Sequence, residues 1–149
     1  EISKEARQAS ESPRVLLVEW FDPLMAAANW MPEFIAALGG KDIFGTSGSH
    51  AIKIQWEDVR SKNPEVIVIM PCGWGIQRSL QEIETLTQKP GWKDLRAVRD
   101  GRVYVADGSH YFNRPGPRLM ESFEMLAEIM HPNSFRFGHE GKGCRKLAS

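Results

Sequence analysis

A loop at residues 107–118 holds the side chains best suited to binding chemistry in this chain. It follows a short apolar run, Val103–Ala106, that predicts a strand, and it precedes a long amphipathic stretch that predicts a helix. Aromatic rings offer flat apolar contact area, and amide and guanidinium groups form directed hydrogen bonds with anionic or amide-bearing ligands. The loop combines both kinds of group, so we select as candidate ligand-contacting residues Tyr111, Phe112, Asn113 and Arg114.

Two features of this loop constrain how it can bind. Pro115 and Pro117 restrict the backbone and remove two amide donors, so the approach to the following helix is stiff. If the loop is extended, Tyr111 and Phe112 point in opposite directions, and we expect Tyr111 to face the ligand. A plainer alternative is that the prolines only begin the helix and that Arg118 pairs with a helix carboxylate.

Two earlier loops resemble the first one in position and composition. Residues 71–75 follow the apolar run Val66–Met70, and residues 20–23 follow the apolar run Arg14–Glu19. Their candidate binding residues, together with a tryptophan at the mouth of the next predicted helix, are Trp20, Phe21, Asp22, Trp30, Cys72, Gly73 and Trp74. Ligands of open α/β sheets bind at the carboxyl ends of the strands. We therefore expect Trp20, Trp74 and Tyr111 to line one concave wall at that edge.

Two polar residues of these loops allow more than one role. Cys72 could act as a nucleophile with His110 or His50 as its base, since a thiolate is stabilised before a helix. A buried, inert cysteine and a disulfide to Cys144 are the alternatives. Asp22 precedes a proline, and it serves either as a ligand-facing carboxylate or as a turn and helix cap. No cysteine and histidine spacing predicts a zinc site and no glycine-rich phosphate loop follows a strand, so we expect neither metal nor cofactor.

The composition indicates a globular protein and weighs against two classes of partner. Of 149 residues, 42% are hydrophobic and 26% are charged, which is ordinary for a domain with its own core. Nineteen basic and nineteen acidic residues cancel and no basic run occurs, so we expect no nucleic-acid partner. No apolar run approaches the roughly 20 residues of a membrane span. Because the residues that open the chain are polar and charged, we expect no signal peptide among them.

The order of the predicted elements sets the fold class. Apolar runs typical of buried strands alternate with helical patterns, which predicts an α/β protein, a Rossmann-like three-layer sandwich with a mostly parallel sheet. Besides the strands above, the sequence predicts a short strand, Ala51–Gln55, and the helices Glu33–Leu38, Trp56–Lys62 and Arg78–Gln88. It also predicts a last helix with Pro117 in its first turn, which ends at His131-Pro132. We expect residues 1–12 to be a linker or the end of a helix, residues 13–132 to form the ligand-binding lobe, and residues 133–149 to be an irregular tail. His131, which ends the last helix, is expected to face solvent.

Several stretches, taken in order, resemble a known family. They are Val15–Trp20 with Asp22-Pro23, Asn29–Glu33, Gly39-Gly40, Trp56–Asp58, Asn63–Ile69, Met70–Gly73, Arg96–Tyr104 and Tyr111–Leu119. Their order and spacing are similar to the C-terminal lobe of bacterial substrate-binding proteins of the cobalamin type, within the group that serves ABC importers of iron-siderophores, haem and vitamin B12. The resemblance covers the chain from Pro13 to about His139.

The resemblance implies a fold, a location and a set of partners. Members have two α/β lobes joined by one long helix and bind their ligand in the cleft. This chain would then be the second lobe, with residues 1–12 as the end of that helix and the N-terminal lobe missing. The family works outside the cytoplasm, in the periplasm or another extracytoplasmic space, and passes its ligand to an ABC-importer permease. Tyr111 takes the position of an aromatic that packs against the corrin ring. Asn113 takes a position where B12-binding members carry a permease-docking glutamate, so docking through this residue is not expected.

From these observations we expect a binding module and not an enzyme. The expected ligand is cobalamin or another corrinoid, because a flat aromatic wall suits a macrocycle with apolar faces and peripheral amides. The alternatives are a siderophore or haem binding protein, a cytoplasmic corrinoid-handling protein of the same fold, and a thiol-dependent enzyme that uses Cys72 with His110. Exposed apolar surface on a lone lobe also predicts a homodimer with two-fold symmetry.

Overall fold

The described part of the chain forms a seven-stranded sheet with helices on both faces. The computed structural model describes residues 13–21, 24–26, 31–44, 52–70, 75–106, 119–131, 135 and 144–147. The strands are β1 (Arg14–Phe21), β2 (Leu24–Ala26), β3 (Lys41–Asp42), β4 (Ile52–Lys53), β5 (Val66–Ile69), β6 (Val103–Ala106) and β7 (Cys144–Lys146). The helices are α1 (Met31–Ala37), α2 (Trp56–Lys62), α3 (Ile76–Gln81), α4 (Glu84–Thr87), α5 (Arg96–Arg99) and α6 (Leu119–Met130), with a 3₁₀ turn at Trp92–Asp94. No described helix combines the length and the apolar character that a membrane span needs.

The centre of the sheet is parallel and its margins are antiparallel. Across the sheet the strand order is β4-β2-β1-β5-β6-β7, and β3 pairs with the first residues of β1. β1 pairs in parallel with β3 and β5, and β5 pairs in parallel with β6. β2, β4 and β7 each run antiparallel to their neighbour. The α/β fold predicted from the element order is confirmed, and the parallel arrangement holds for the centre of the sheet.

Two hydrophobic cores lie on the two faces of this sheet. The first core contains Val15 and Leu17 of β1 and packs under α1 and α6. The second core contains Leu16 and Val18 of β1 and packs under α2, α4 and α5. Successive strand residues alternate between the two cores, because side chains along a strand point to opposite faces. All four residues of β5 and of β6 are buried, since a central parallel strand covered on both faces meets no solvent.

Helix α2 has the bounds that the sequence predicts, and its ends explain why. Acidic residues occupy its first turn and basic residues occupy its last turn, which complements the helix dipole. The helix ends at Asn63, whose φ of 46° is a left-handed conformation that asparagine tolerates better than most residues. The side-chain Oδ1 of Asn63 accepts a hydrogen bond from the Arg96 backbone N–H at 2.8 Å. One asparagine thus ends α2 and begins α5.

The prediction of a single helix over Arg78–Gln88 is wrong. The structure has two shorter helices, α3 and α4, separated by a turn at residues 82–83. The apolar residues Leu80, Ile83 and Leu86 are spaced three apart, and an α-helix with about 3.6 residues per turn would rotate them progressively away from the sheet. The turn corrects this drift, so that Leu86 is buried in the second core and the other two pack against it.

Two other expectations about the end of the chain are also wrong. Three residues of the predicted irregular tail form β7, which pairs with β6, and Cys144 in that strand is a buried thiol of the first core. His131, expected to face solvent, is 3% exposed. Both features depend on contacts with residues far away along the chain, which a local sequence pattern does not encode.

Candidate functional site

The carboxyl ends of three parallel strands lie level at one edge of the sheet. Val18 of β1 pairs with Ile69 of β5, and Ile69 pairs with Val105 of β6. The Met70 N–H continues this pairing by donating to the Val18 carbonyl at 2.8 Å. We call this side of the sheet the carboxyl edge. Ligands of open α/β sheets bind at such an edge, and the loops that follow the three strands begin here.

Most of the predicted binding residues lie outside the residues that the structure describes. These are Asp22, Trp30, Cys72, Gly73, Trp74, Tyr111, Phe112, Asn113 and Arg114. The structure places the other two members of the set, Trp20 and Phe21, in the last residues of β1. The expected wall of Trp20, Trp74 and Tyr111 stays a prediction.

A β-bulge shapes the end of β1. The strand leads into an antiparallel pairing with β2, in which Val18 lies opposite Ala26 and Trp20 lies opposite Met25. Two steps along β1 therefore match one step along β2, which is the register shift of a bulge. The hairpin supplies backbone partners to residues that the sequence predicted to lie in a loop.

The bulge gives the neighbouring side chains different environments. Val18 and Phe21 both belong to the second core, although strict alternation would place residues three apart on opposite faces. Because of the extra residue, Phe21 points into the second core, where it is 5% exposed and belongs to the same cluster as Leu24. Glu19 and Trp20 are partly buried, and they remain the described side chains of β1 that meet the carboxyl edge.

Glu19 is a polar residue of this edge that the sequence reasoning missed. Burial raises the pKa of its carboxyl above the usual glutamate value, because the charged form loses contact with water. No ion pair of the described residues includes it. Ionisable groups with a perturbed pKa concentrate at functional sites. The available signal was a charged residue that closes a run of four buried apolar residues directly before two aromatics.

The described residues offer a separate cavity but no metal centre. The cavity has a volume of about 580 Å³ and is lined by Ile83, Thr87, Trp92, Lys93, Val98, Arg99, Gly101, Val103 and Leu147. Gly101 and Val103 lie at the amino end of β6, opposite the edge at which open α/β sheets bind ligands. No group of three or more histidine, cysteine, aspartate or glutamate side chains is placed to hold a metal ion in this part of the chain. We therefore assign the candidate site to the carboxyl edge.

The sequence of this chain matches a known protein family. The chain matches the family model described as "Periplasmic binding protein" over residues 1–109. It belongs to the periplasmic binding protein family. A curated relative, the "Uncharacterized ABC transporter substrate-binding lipoprotein YvrC" of Bacillus subtilis (strain 168), is 34% identical over 80 residues, which cover 54% of this chain and 23% of the relative. The family resemblance drawn from the sequence motifs is confirmed.

Solved structures of periplasmic binding proteins share the fold of this chain. A periplasmic heme binding protein from Pseudomonas aeruginosa has a TM-score of 0.76 at 20% identity, covering 99% of this chain and 52% of that chain. The periplasmic vitamin B12 binding protein BtuF of Vibrio cholerae has a TM-score of 0.66 at 21% identity, covering 85% of this chain and 48% of that chain. This periplasmic binding protein family member thus spans about half the length of those structures and 23% of YvrC.

Proposed function

We propose that this chain is the C-terminal ligand-binding lobe of a substrate-binding protein that serves an ABC importer, and that its ligand is cobalamin or another corrinoid. The observation that carries the proposal is the position of Trp20. A bulge holds this partly buried indole at the carboxyl edge, where β1, β5 and β6 end together. A flat aromatic ring suits the wide apolar face of a macrocycle. The loops that contain Trp74 and Tyr111 follow β5 and β6, so the proposal places them beside Trp20.

The proposal includes a second lobe. Because the chain spans about half of the solved structures that it resembles, we take residues 13–132 as one lobe, extended by β7, and residues 1–12 as the end of a connecting segment. The ligand would lie between the carboxyl edge and an N-terminal lobe. If each lobe supplies about half of a nanomolar binding energy of roughly −12 kcal/mol, one lobe retains about −6 kcal/mol, or a Kd of tens of micromolar.

The proposed setting is extracytoplasmic, with an ABC-importer permease as the partner. Support comes from the similar proteins, which are a substrate-binding lipoprotein of an ABC transporter and two periplasmic binding proteins. Asn113 is uncharged at the position where the resemblance implies a docking glutamate. The proposal therefore assigns permease docking to other residues.

Two competing functions are separated by simple variants and probes. Haem and iron-siderophores are the rival ligands. A heme binding protein and a vitamin B12 binding protein both share this fold, so the fold does not distinguish the ligands. A thiol-dependent reaction at Cys72 is the rival from another class. A Cys72→Ser variant would lose turnover in an enzyme, whereas we expect it to keep its affinity for cobalamin.

Calorimetry of this chain with cyanocobalamin, and in parallel with hemin, tests the proposed site. We expect a Kd of tens of micromolar or weaker for cyanocobalamin, and a Trp20→Ala variant that binds about ten-fold more weakly, because buried aromatic anchors carry much of a binding energy. Trp56→Ala is the matched control. Trp56 packs against Trp92 on the second core, with ring centroids 6.3 Å apart, and its indole N–H donates to the Pro90 carbonyl.

Each result of this assay decides one part of the proposal. Equal losses of affinity in the Trp20 and Trp56 variants would contradict the placement of the site. Sub-micromolar binding by this chain alone would contradict the two-lobe arrangement. Binding of hemin without cyanocobalamin would replace the corrinoid by haem, and binding of neither would reject the function.

The isolated lobe is also proposed to self-associate with two-fold symmetry. A lobe without its partner exposes apolar surface that the partner would cover, and contiguous patches of this kind drive association. Light scattering over a wide concentration range is the test. A monomeric mass at every concentration would contradict this part of the proposal.

A further inference from the structure

Glu19 places a carboxyl group where a ligand at the carboxyl edge would meet it. The residue lies in the bulge of β1, between Val18, whose carbonyl accepts from Met70, and Trp20. Val15 and Leu17 point into the first core and Leu16 and Val18 into the second, and Glu19 is the next residue along β1, one step nearer the edge. Its side chain is partly buried. The bulge therefore brings one acidic and one aromatic side chain together to the end of β1.

Nothing in the described part of the chain neutralises this carboxyl group. The basic members of the ion pairs there are Arg14, Arg60, Arg78 and Arg96, and none of them pairs with Glu19. Loss of water without a compensating partner disfavours the charged form, which is why the pKa of Glu19 is raised. A partly buried carboxyl group at the end of a parallel strand, without an ion-pair partner among the described residues, is typical of functional sites.

We propose that Glu19 determines the specificity of this site, selecting metal chelates that present N–H donors and rejecting chelates that present carboxylates. The inference rests on the proposed function and deepens it. A carboxylate accepts hydrogen bonds from the N–H groups of a ligand carboxamide, and such charge-assisted bonds are stronger than neutral ones. A ligand carboxylate at the same place would be repelled by the like charge and would lose its own hydration.

Cobalamin and haem are opposite probes of this selectivity. Corrinoids carry carboxamides around the ring, whereas haem carries propionate carboxylates. Both are large, flat metal chelates, so the aromatic wall of the proposed site does not by itself distinguish them. A negatively charged group at the edge of the site distinguishes them, because it attracts the N–H groups of corrinoid carboxamides and repels the carboxylates of haem.

The variant Glu19→Gln isolates the charge of this residue. Glutamine keeps the length of the side chain and one carbonyl acceptor, and it removes the negative charge. Because the substitution also removes a poorly hydrated charge, we expect the variant to melt no lower than the parent. Glu84→Gln is the matched control, since it makes the same charge change at an exposed residue of α4, on the side of the second core.

The experiment measures both probes on three proteins at about pH 7.5, with cyanocobalamin followed by calorimetry and hemin by its Soret absorbance. We expect Glu19→Gln to bind cyanocobalamin about five-fold more weakly than the parent, because a neutral acceptor replaces a charged one. The same variant is expected to bind hemin several-fold more tightly. Glu84→Gln is expected to match the parent with both probes. A merely structural role of Glu19 would move both affinities in the same direction.

The outcomes separate this inference from the proposed function. Unchanged cyanocobalamin binding in Glu19→Gln, or parallel shifts with both probes, overturns the role of Glu19 and leaves the binding function in place. A parent chain that prefers hemin to cyanocobalamin overturns the role of Glu19 and also replaces the corrinoid by haem as the proposed ligand. A parent chain that binds neither probe overturns the proposed function and this inference together.

Discussion

In the part of the chain that the structure describes, polar side chains at the two edges of the sheet differ in their hydrogen-bond and ion-pair partners. At the amino edge, where β1, β5 and β6 begin, side chains of one element bond to the backbone of another. Arg102 donates from Nη2 to the Met130 carbonyl at 2.9 Å, and the Nε2 of His131 lies 2.7 Å from the Leu38 carbonyl. Because a carbonyl oxygen only accepts, His131 donates this bond. At the carboxyl edge, Glu19 has no comparable partner among the described residues.

Among the described residues, the contacts at the amino edge serve stability, and the proposed function assigns the carboxyl edge to a ligand. A buried polar group with its hydrogen bond made contributes about 1 kcal/mol, and the same group left unpaired costs more than that. The contacts at the amino edge tie the ends of α1 and α6 to each other and to the start of β6. The carboxyl edge instead carries, beside Trp20, the partly buried carboxyl group of Glu19, whose pKa is raised by burial.

The largest loss of stability is expected from His131→Ala at the amino edge. The variant leaves the Leu38 carbonyl without its donor and removes a ring whose centroid lies 6.2 Å from that of Phe135. We expect the free energy of unfolding to fall by about 2–4 kcal/mol in urea denaturation, with no change in ligand affinity of the folded protein. Lys93→Ala, at an exposed residue, is the control. A loss of stability as small as that of the control would contradict the stabilising role of the contacts at the amino edge.

A smaller loss is expected from Asn63→Ala, just before β5. Alanine would have to adopt the left-handed φ of 46° and would no longer accept the Arg96 N–H. Together these effects are expected to cost about 1–2 kcal/mol in the same denaturation assay. Asn63→Gly removes the side-chain bond but allows the backbone conformation, so it should recover part of the loss. Equal stabilities of the two variants would show that the left-handed conformation contributes nothing.

Glu65→Gln measures how much the exposed ion pairs of the amino edge contribute to stability. The Glu65 carboxylate lies 3.3 Å from Nε of Arg14 and 3.4 Å from Nη1 of Arg96, with both arginines more exposed than the glutamate. Since water and salt screen such pairs, we expect a loss of only about 0.5–1 kcal/mol, and a smaller one in about 1 M NaCl. A loss that does not depend on salt would mean that the pairs act through packing rather than charge.

The smallest effect, and one of opposite sign, is expected at the carboxyl edge from Glu19→Gln. The pKa of Glu19 is raised by burial, so the folded chain holds this proton more tightly than the unfolded chain does. The resulting stability is present below the unfolded pKa of about 4.3 and is lost as the pH rises through the folded value. Glutamine avoids that loss. Thermal melts should show the variant above the parent near neutral pH, with the gap closing as the pH falls toward 4; a variant that melts lower at neutral pH would contradict the assigned cause.

The elements predicted correctly are those with a strong local signal. Val103–Ala106 and Trp56–Lys62 have their predicted bounds, the first as a short apolar run and the second as a helix with complementary charges at its ends. The alternation of strands and helices along the chain also predicted that the candidate site lies at the carboxyl edge of the sheet, and Trp20 lies at that edge. Glu19 was missed although it closes an apolar run directly before two aromatics, because that pattern does not show the β-bulge or the partial burial of its side chain.

The α/β class and the central strands followed from the sequence alone, because short runs rich in valine and isoleucine, such as Val66–Ile69, are typical of strands buried in a covered sheet. The family followed from the order and spacing of the motifs along the chain. Three features appear only in the tertiary structure: the bulge at Glu19, the strand formed by three residues of the C-terminal segment, and the burial of His131. Each of these depends on a partner elsewhere in the chain: β2 for the bulge, β6 for Cys144–Lys146, and Leu38 for His131. Periodicity reports how a segment is buried, but only the assembled fold shows which backbone groups and side chains meet.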